Sequence, residues 1–222
     1  MKRSIVLSIV VAVLMIFMGL QTSVFAYPST GDDIKFTQVD GGDGGRFVAT
    51  FGDMNNSNTW NTFETFCLET NEYISTGSWY YIYKISDSAE EGGSGGPSPD
   101  PISYGTAYLY TQFVNGAYSN MSDWQYRNLQ KAIWTLEEEG TFTGEGDSGD
   151  VGTINWFLTQ AANSGWQDIG NVRVLNIQWS ADDTRVRQDM LTIVPEPTTI
   201  LLSGLGLLGM GAFLRRKKSR KA

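Results

Sequence analysis

Histidine is absent from this 222-residue sequence, and cysteine occurs only once, as Cys67. The missing histidine removes the usual general base and the commonest transition-metal ligand, so serine–histidine and cysteine–histidine hydrolases are excluded. A single cysteine also excludes a disulfide within the chain. We therefore expect a protein that is not an enzyme and that holds no metal or other cofactor.

Positive charge is scarce once the two ends of the chain are set aside. Residues 27–194 contain 8 Lys or Arg against 23 Asp or Glu, a net charge of −15, whereas the whole chain carries −8. So acidic a surface repels nucleic acid and anionic lipid headgroups. We predict no nucleic-acid partner for this segment, which has the length of one extracytoplasmic domain.

The N-terminal residues 1–26 have the pattern of a secretory signal peptide. Two basic residues open the segment, an apolar run follows over residues 5–20, and small residues precede the end at Ala26. This pattern predicts cleavage by a signal peptidase between Ala26 and Tyr27. An uncleaved membrane anchor is the alternative, but the apolar run is short for a membrane span.

The C-terminal residues 195–222 contain three parts in a fixed order. Pro195, Glu196 and Pro197 precede an apolar stretch over residues 198–214, and a basic cluster ends the chain. This order resembles the PEP-CTERM sorting signal of Gram-negative bacteria, whose members are processed by membrane proteases called exosortases. The resemblance implies that Pro-Glu-Pro is the processing motif. An ordinary tail anchor carrying Pro-Glu-Pro is the alternative.

The apolar stretch at residues 198–214 is long enough for a transmembrane helix at the lower limit. The basic cluster after it would remain in the cytoplasm, which leaves everything upstream outside. The protein is therefore expected in the inner membrane during sorting, and afterwards at the cell surface or in the extracellular matrix of a Gram-negative bacterium.

Runs rich in β-branched and aromatic residues predict strands on both sides of a helical middle, which is the pattern of an α+β fold. The predicted strands are residues 34–39, 46–52, 63–69, 79–85, 172–179 and 187–194, and the predicted helices are residues 102–113, 120–139 and 153–162. Ser122 and Gln125 have the spacing of a capping box. The glycine-rich residues 90–101 predict a flexible exposed loop.

Two short motifs suggest chemistry. Cys67 follows the aromatic Phe66, and Gln130 is followed at helical spacing by Ile133 and Trp134. This pair of motifs resembles the signature of bacterial Cys-Gln thioester domains, found in surface adhesins chiefly of Gram-positive bacteria. The resemblance implies that the Cys67 sulfur and the Gln130 side-chain carbonyl join as an internal thioester, with loss of ammonia.

Further roles follow from this resemblance. Trp134, one helical turn after Gln130, and Tyr126, one turn before it, would shield the bond from water. Glu69 lies two residues after the cysteine and is a possible proton acceptor. The residue before Gln130 is not the threonine that the family often has, whereas Gln160 lies in a literal Thr-Gln-x-Ala sequence. Gln160 therefore remains an alternative acyl donor.

If the thioester forms, an amine on a surface ligand can attack it, which makes the protein a covalent adhesin. The alternative is that Cys67 is a buried structural residue, in a non-catalytic module that associates with an exopolysaccharide. Exposed aromatic rings can stack on sugars, although we expect at least half of the seven tryptophans to fill the core. The three consecutive glutamates at residues 137–139 are expected to form a solvated helix end.

Overall fold

The computed structural model describes residues 26–41, 44–142 and 150–195. One antiparallel sheet contains six strands: β1 (Asp33–Gln38), β2 (Phe47–Gly52), β3 (Asn61–Thr65), β4 (Trp79–Ser86), β7 (Val172–Gln178) and β8 (Val186–Ile193). A second, two-stranded sheet pairs β5 (Ser88–Ala89) with β6 (Asp100–Pro101). The helices between these strands are α1 (Tyr104–Val114), α2 (Asp123–Leu136) and α3 (Val151–Asn163). Strands therefore flank a helical middle. The predicted α+β fold is confirmed.

The six-stranded sheet has the order β3-β2-β1-β4-β7-β8, so β3 and β8 are its edges. The chain that follows β3 pairs with β8: the Leu191 N–H donates to the Phe66 carbonyl at 3.0 Å, and the Leu68 N–H donates to the Asp189 carbonyl at 3.0 Å. Cys67 forms an isolated antiparallel bridge with Met190 between these two bonds. The segment around Cys67 thus connects the two edges of the sheet.

Strict alternation along the strands produces two hydrophobic clusters. One cluster lies against the inner face of the sheet and includes Ile34, Phe36, Ile82 and Cys67, with Trp134 contributed by α2. The other joins the three helices to the opposite side of β7 and β8. Successive residues of the chain from Phe66 to Leu68 alternate between the two clusters, because side chains of an extended segment point to opposite sides in turn.

Each helix begins at a side chain that accepts a hydrogen bond from an otherwise unpaired backbone N–H. Ser103 caps α1, Asp150 caps α3, and Ser122 caps α2. In α2 the Gln125 side chain also accepts from the Ser122 N–H at 2.9 Å, so the predicted capping box is confirmed. This cap fixes the start of the helix that carries Gln130.

One predicted strand end is wrong, and the exposure predicted for residues 90–101 holds for only part of that segment. Strand β3 ends at Thr65 rather than at Glu69, because the chain leaves β2 to pair with β8. The segment 90–101 is not a simple exposed loop. Its end pairs with the buried residues of β5, and its backbone binds the carboxylate of Glu139 through the Ser94 N–H at 2.8 Å.

The solvated helix end predicted at residues 137–139 is also wrong for two of the three glutamates. Glu137 and Glu139 are buried, at 7% and 6% exposure. Glu137 accepts hydrogen bonds from the backbone N–H and the hydroxyl of Ser103, and Glu139 accepts from the Thr70 N–H at 2.9 Å. These carboxylates join the end of α2 to segments far away in sequence, a role that charge alone does not reveal.

Several predicted features lie outside the described residues, namely most of the signal peptide, Glu196, Pro197 and the apolar stretch at 198–214. Within the part of the chain that the structure describes, no helix has the length and hydrophobicity needed to span a bilayer. Ala26 and Tyr27 are exposed. The predicted cleavage position is therefore open to solvent at the start of the described chain.

Candidate functional site

Cys67 is held where the two edges of the sheet meet. Its backbone bridges to Met190 of β8, and its side chain enters the cluster on the inner face of the sheet. The residue is 5% exposed and forms no disulfide. Because backbone hydrogen bonds fix the chain on both sides of it, the sulfur has little freedom to move relative to the sheet.

Gln130 approaches Cys67 from α2 and is fully buried. Its carboxamide pairs with the backbone of the cysteine: the Cys67 N–H donates to Oε1 at 3.1 Å, and Nε2 donates to the Cys67 carbonyl at 2.7 Å. Because a donor meets one end of the amide and an acceptor meets the other, only one orientation of the carboxamide satisfies both bonds.

The Cys67 sulfur lies 3.4 Å from Gln130 Oε1 and donates its proton to that oxygen. The carbonyl carbon is bonded directly to this oxygen, so the reacting carbon belongs to the group that the sulfur contacts. A thiol, a carboxamide carbon and an N–H that can stabilise negative charge on the oxygen therefore meet in one buried place. The structure brings together the two residues on which the predicted thioester depends.

Trp134 covers this pair from one turn farther along α2. It is 7% exposed, and its ring stacks on Phe142 with the centroids 5.7 Å apart. A Cβ placed on Gly44 would lie 2.6 Å from Trp134 Cη2 and 2.8 Å from Gln130 Cγ. Gly44 has a φ of +80°, a conformation that glycine adopts readily because it has no side chain. The same lack of a side chain permits its close contact with Trp134 and Gln130.

The pKa of the Cys67 thiol is raised well above its ordinary value, first by burial and then by the nearby Glu69. The indole N–H of Trp134 acts in the opposite direction and lowers the thiol pKa. That N–H is itself buried and makes no well-formed hydrogen bond to a described residue. At neutral pH the cysteine is therefore a protonated thiol, and an unpaired indole N–H lies in the same cluster.

Glu69 is 2% exposed and is held by β8. Its Oε2 accepts from Gln188 Nε2 at 3.0 Å and from the Asp189 N–H at 3.1 Å, whereas Oε1 has no hydrogen-bond partner within the described ranges. Burial, and then the carboxyl of Asp189, raise the pKa of Glu69 to about 10. Glu69 is therefore neutral at pH 7, and it must first lose its own proton to serve as the predicted proton acceptor.

The other predicted site residues lie farther from the pair. The Tyr126 ring lies under the guanidinium of Arg46, with Arg46 Cζ 3.8 Å from the ring centroid, and its hydroxyl donates to the Tyr118 carbonyl at 2.7 Å. Its packing is within the helical cluster, so any shielding of the thioester by Tyr126 would be indirect. Gln160 lies on α3, and it is Gln130 that hydrogen-bonds Cys67.

The expectation that at least half of the tryptophans fill the core is wrong. Trp134 is buried, two others are half-buried, and four have 36–45% of their surface exposed: Trp60, Trp124, Trp156 and Trp179. Trp60 lies 5.2 Å from Trp79, and Lys35 Nζ lies 4.4 Å and 4.8 Å from the centroids of these two rings. Sequence composition gave no indication that these rings would meet on the surface.

Within residues 26–41, 44–142 and 150–195, no group of three or more Asp, Glu or Cys side chains is arranged to hold a metal ion. Asp150 accepts from the Thr153 hydroxyl at 2.7 Å and from the Thr153 N–H at 2.9 Å as the cap of α3, and these hydrogen bonds lower its pKa.

Comparison with known proteins identifies one end of the chain. The family described as the PEP-CTERM protein-sorting motif matches residues 194–217. The match begins directly after β8, which ends at Ile193, so the folded domain and the sorting segment adjoin. No curated protein and no solved structure matches the chain.

The class of protein follows from this match. The chain is an exported protein that carries a PEP-CTERM motif, is processed by an exosortase and reaches the cell surface by way of the membrane. The motif includes the predicted Pro195, Glu196 and Pro197. It specifies the destination of the α+β domain and leaves the activity of that domain to be argued from its own residues.

Proposed function

We propose that the domain is a covalent adhesin that reacts through an internal thioester between Cys67 and Gln130. The observation that carries the proposal is the contact of the two side chains in a buried place, with the sulfur 3.4 Å from Oε1. The two sequence motifs had selected the same pair of residues. Burial also limits hydrolysis, which a thioester exposed to water would undergo.

The reaction balances without any co-reactant. The sulfur attacks the Gln130 carbonyl carbon, the carbon–nitrogen bond breaks, and the thiol proton leaves with the amide nitrogen as ammonia. The Cys67 N–H, 3.1 Å from Oε1, stabilises the oxygen as it becomes negative, and the Cys67 carbonyl orients the departing nitrogen. Glu69 as an intermediate carrier of the proton remains a prediction.

The finished thioester is an electrophile for a primary amine. Attack by a lysine or amino sugar of a surface ligand forms an amide with Gln130 and releases the Cys67 thiol. The protein is consumed in this single reaction, so it is not a catalyst. An adhesin at the surface of a Gram-negative cell, or a cross-link into its matrix, would be the result, and processing by signal peptidase and exosortase would precede it.

The proposal predicts an all-or-none change in intact mass. The processed wild-type protein is expected to be lighter than its sequence by one ammonia, because the bond expels that molecule. Cys67→Ser and Gln130→Glu are expected to have their full masses, whereas Gln160→Glu, the matched control, is expected to keep the deficit. Incubation with methylamine should add one methylamine and expose one titratable thiol. A folded wild type of full mass with a free Cys67 would contradict the proposal.

A second candidate function rests on the exposed aromatic pair. The Trp60 indole N–H donates to the Asp53 carbonyl at 2.8 Å, so the ring is fixed beside Trp79. Lys35 has no ion-pair partner in the described part of the chain, and its ammonium lies over both rings. Two fixed rings and a donor are groups that can bind a sugar of an exopolysaccharide.

Binding of the processed protein to a glycan array tests this second candidate. Saturable binding is expected to weaken by about tenfold in Trp60→Ala, because one stacking surface is lost. Trp124→Ala is the matched control, since that ring is exposed to a similar extent but does not belong to the pair. Equal losses in both variants, or no binding by the wild type, would contradict a sugar site at Trp60.

A further inference from the structure

Trp134 has a feature that shielding alone does not explain. Its indole N–H is buried and makes no hydrogen bond to a described residue, and an unsatisfied buried donor has an energetic cost. The ring is fixed between Phe142 and the Gly44 backbone, beside the stem of Gln130. Phenylalanine in the same place would cover the pair equally well without this cost. The unpaired donor therefore indicates a function for the nitrogen.

The sulfur of Cys67 is the atom that this donor can serve. Trp134 and Cys67 belong to the same cluster, and the effect of the indole on the thiol is to favour its ionised form. The Gln130 oxygen already has the Cys67 N–H, and the Gln130 nitrogen has the Cys67 carbonyl. The sulfur accepts no hydrogen bond from another residue among those described, and beside the indole only the backbone N–H of Cys67 itself favours its ionised form.

We propose that the indole N–H of Trp134 donates a hydrogen bond to the Cys67 sulfur whenever that sulfur is negatively charged. This inference rests on the proposed thioester and assigns to it a residue that controls reactivity. In formation, the donor stabilises the attacking thiolate. In the reaction with an amine, the carbon–sulfur bond breaks, the electron pair leaves with sulfur, and the same donor stabilises the departing thiolate.

Loss of the donor and loss of the shield have opposite effects on hydrolysis. Trp134→Phe keeps an aromatic ring but removes the N–H. It is therefore expected to slow both methylamine addition and spontaneous hydrolysis by about tenfold to a hundredfold, because both reactions expel the thiolate. Gly44→Ala displaces the ring but keeps the N–H, so it is expected to speed hydrolysis. Gly41→Ala controls for the strain of a positive φ, since no atom lies within 4 Å of its Cβ.

The experiment follows the intact mass of the processed protein over time, with and without methylamine. Slower reactions in Trp134→Phe, or a folded variant that never loses ammonia, support the donor role. Wild-type rates, or faster hydrolysis, overturn it. If Trp134→Phe does not fold, 3-benzothienylalanine at position 134 replaces the N–H by sulfur in a ring of nearly the same shape. A wild type without the ammonia deficit would instead refute the thioester itself.

Discussion

Asp40→Ala is expected to lower the free energy of unfolding by about 3 kcal/mol, because it leaves a largely buried guanidinium without its main partner. The Asp40 side chain is fully buried and binds Arg46 through two side-chain nitrogens, at 2.9 and 3.1 Å, and through the Arg46 N–H at 2.7 Å. The side chain of Arg46 is only 15% exposed and lies over Tyr126. Urea denaturation of the wild type and of Asp40→Ala measures the difference in their free energies of unfolding.

The same substitution is expected to affect the candidate thioester. Asp40 and Arg46 flank the turn that presents Gly44 to Trp134, and Arg127 of α2 donates to the Asp40 carbonyl at 2.6 Å. Loosening this turn removes part of the cover above Gln130. Faster loss of the thioester to water should therefore accompany the loss of stability.

Asp123→Ala is the matched control for Asp40→Ala. Asp123 contacts the same arginine at 3.4 Å, but its side chain is 65% exposed. A solvent-exposed ion pair contributes about 0–1 kcal/mol, so little change is expected. Equal destabilisation by the two substitutions would mean that burial of the Asp40–Arg46 pair is not what stabilises the turn.

The free energy of unfolding is also expected to decrease as the pH rises from about 5 to about 9, because the folded domain binds more protons than the unfolded chain. Burial, and then Asp189, raise the pKa of Glu69 from 4.5 to about 10. Between these values the unfolded chain has released the proton and the folded domain retains it. The contribution of this group is therefore complete at acid pH and is lost at up to about 1.4 kcal/mol per pH unit.

Glu69→Gln imitates the neutral carboxyl and keeps an oxygen for the Gln188 amide and the Asp189 N–H. At pH 5 the variant should match the wild type, and at pH 8 it should unfold at a higher urea concentration. Asp182→Asn removes an exposed carboxylate and should leave the pH dependence unchanged. The same pH slope in Glu69→Gln and wild type would show that Glu69 is ionised in the folded domain.

The sequence predicts local structure well where local physics decides it. The alternation of apolar residues identifies the six long strands to within a few residues, apart from the early end of β3, and the Ser122–Gln125 spacing identifies the start of α2. These features depend on neighbours within one turn or one strand. The sequence could not predict the buried positions of Glu137 and Glu139, because their partners, Ser103 and Thr70, are 34 and 69 residues away.

The candidate site illustrates the same division. Motif resemblance selects Cys67, but both Gln130 and Gln160 fit the pattern. Only the packing of α2 against the segment around Cys67 distinguishes them, because it is Gln130 that hydrogen-bonds Cys67. The unpaired N–H of Trp134 and the surface pair of Trp60 and Trp79 have no sequence signal at all. Such features depend on which atoms remain unsatisfied after packing, and composition does not record this.

By itself, the sequence determined the destination of the protein, because a sorting segment is recognised as a linear order of Pro-Glu-Pro, apolar stretch and basic end. It likewise excluded histidine-dependent chemistry, since an absent residue type is absent in every fold. Only the tertiary structure decided that the Cys67 sulfur and the Gln130 carboxamide meet, because two residues 63 positions apart are brought together by closure of the sheet and docking of α2.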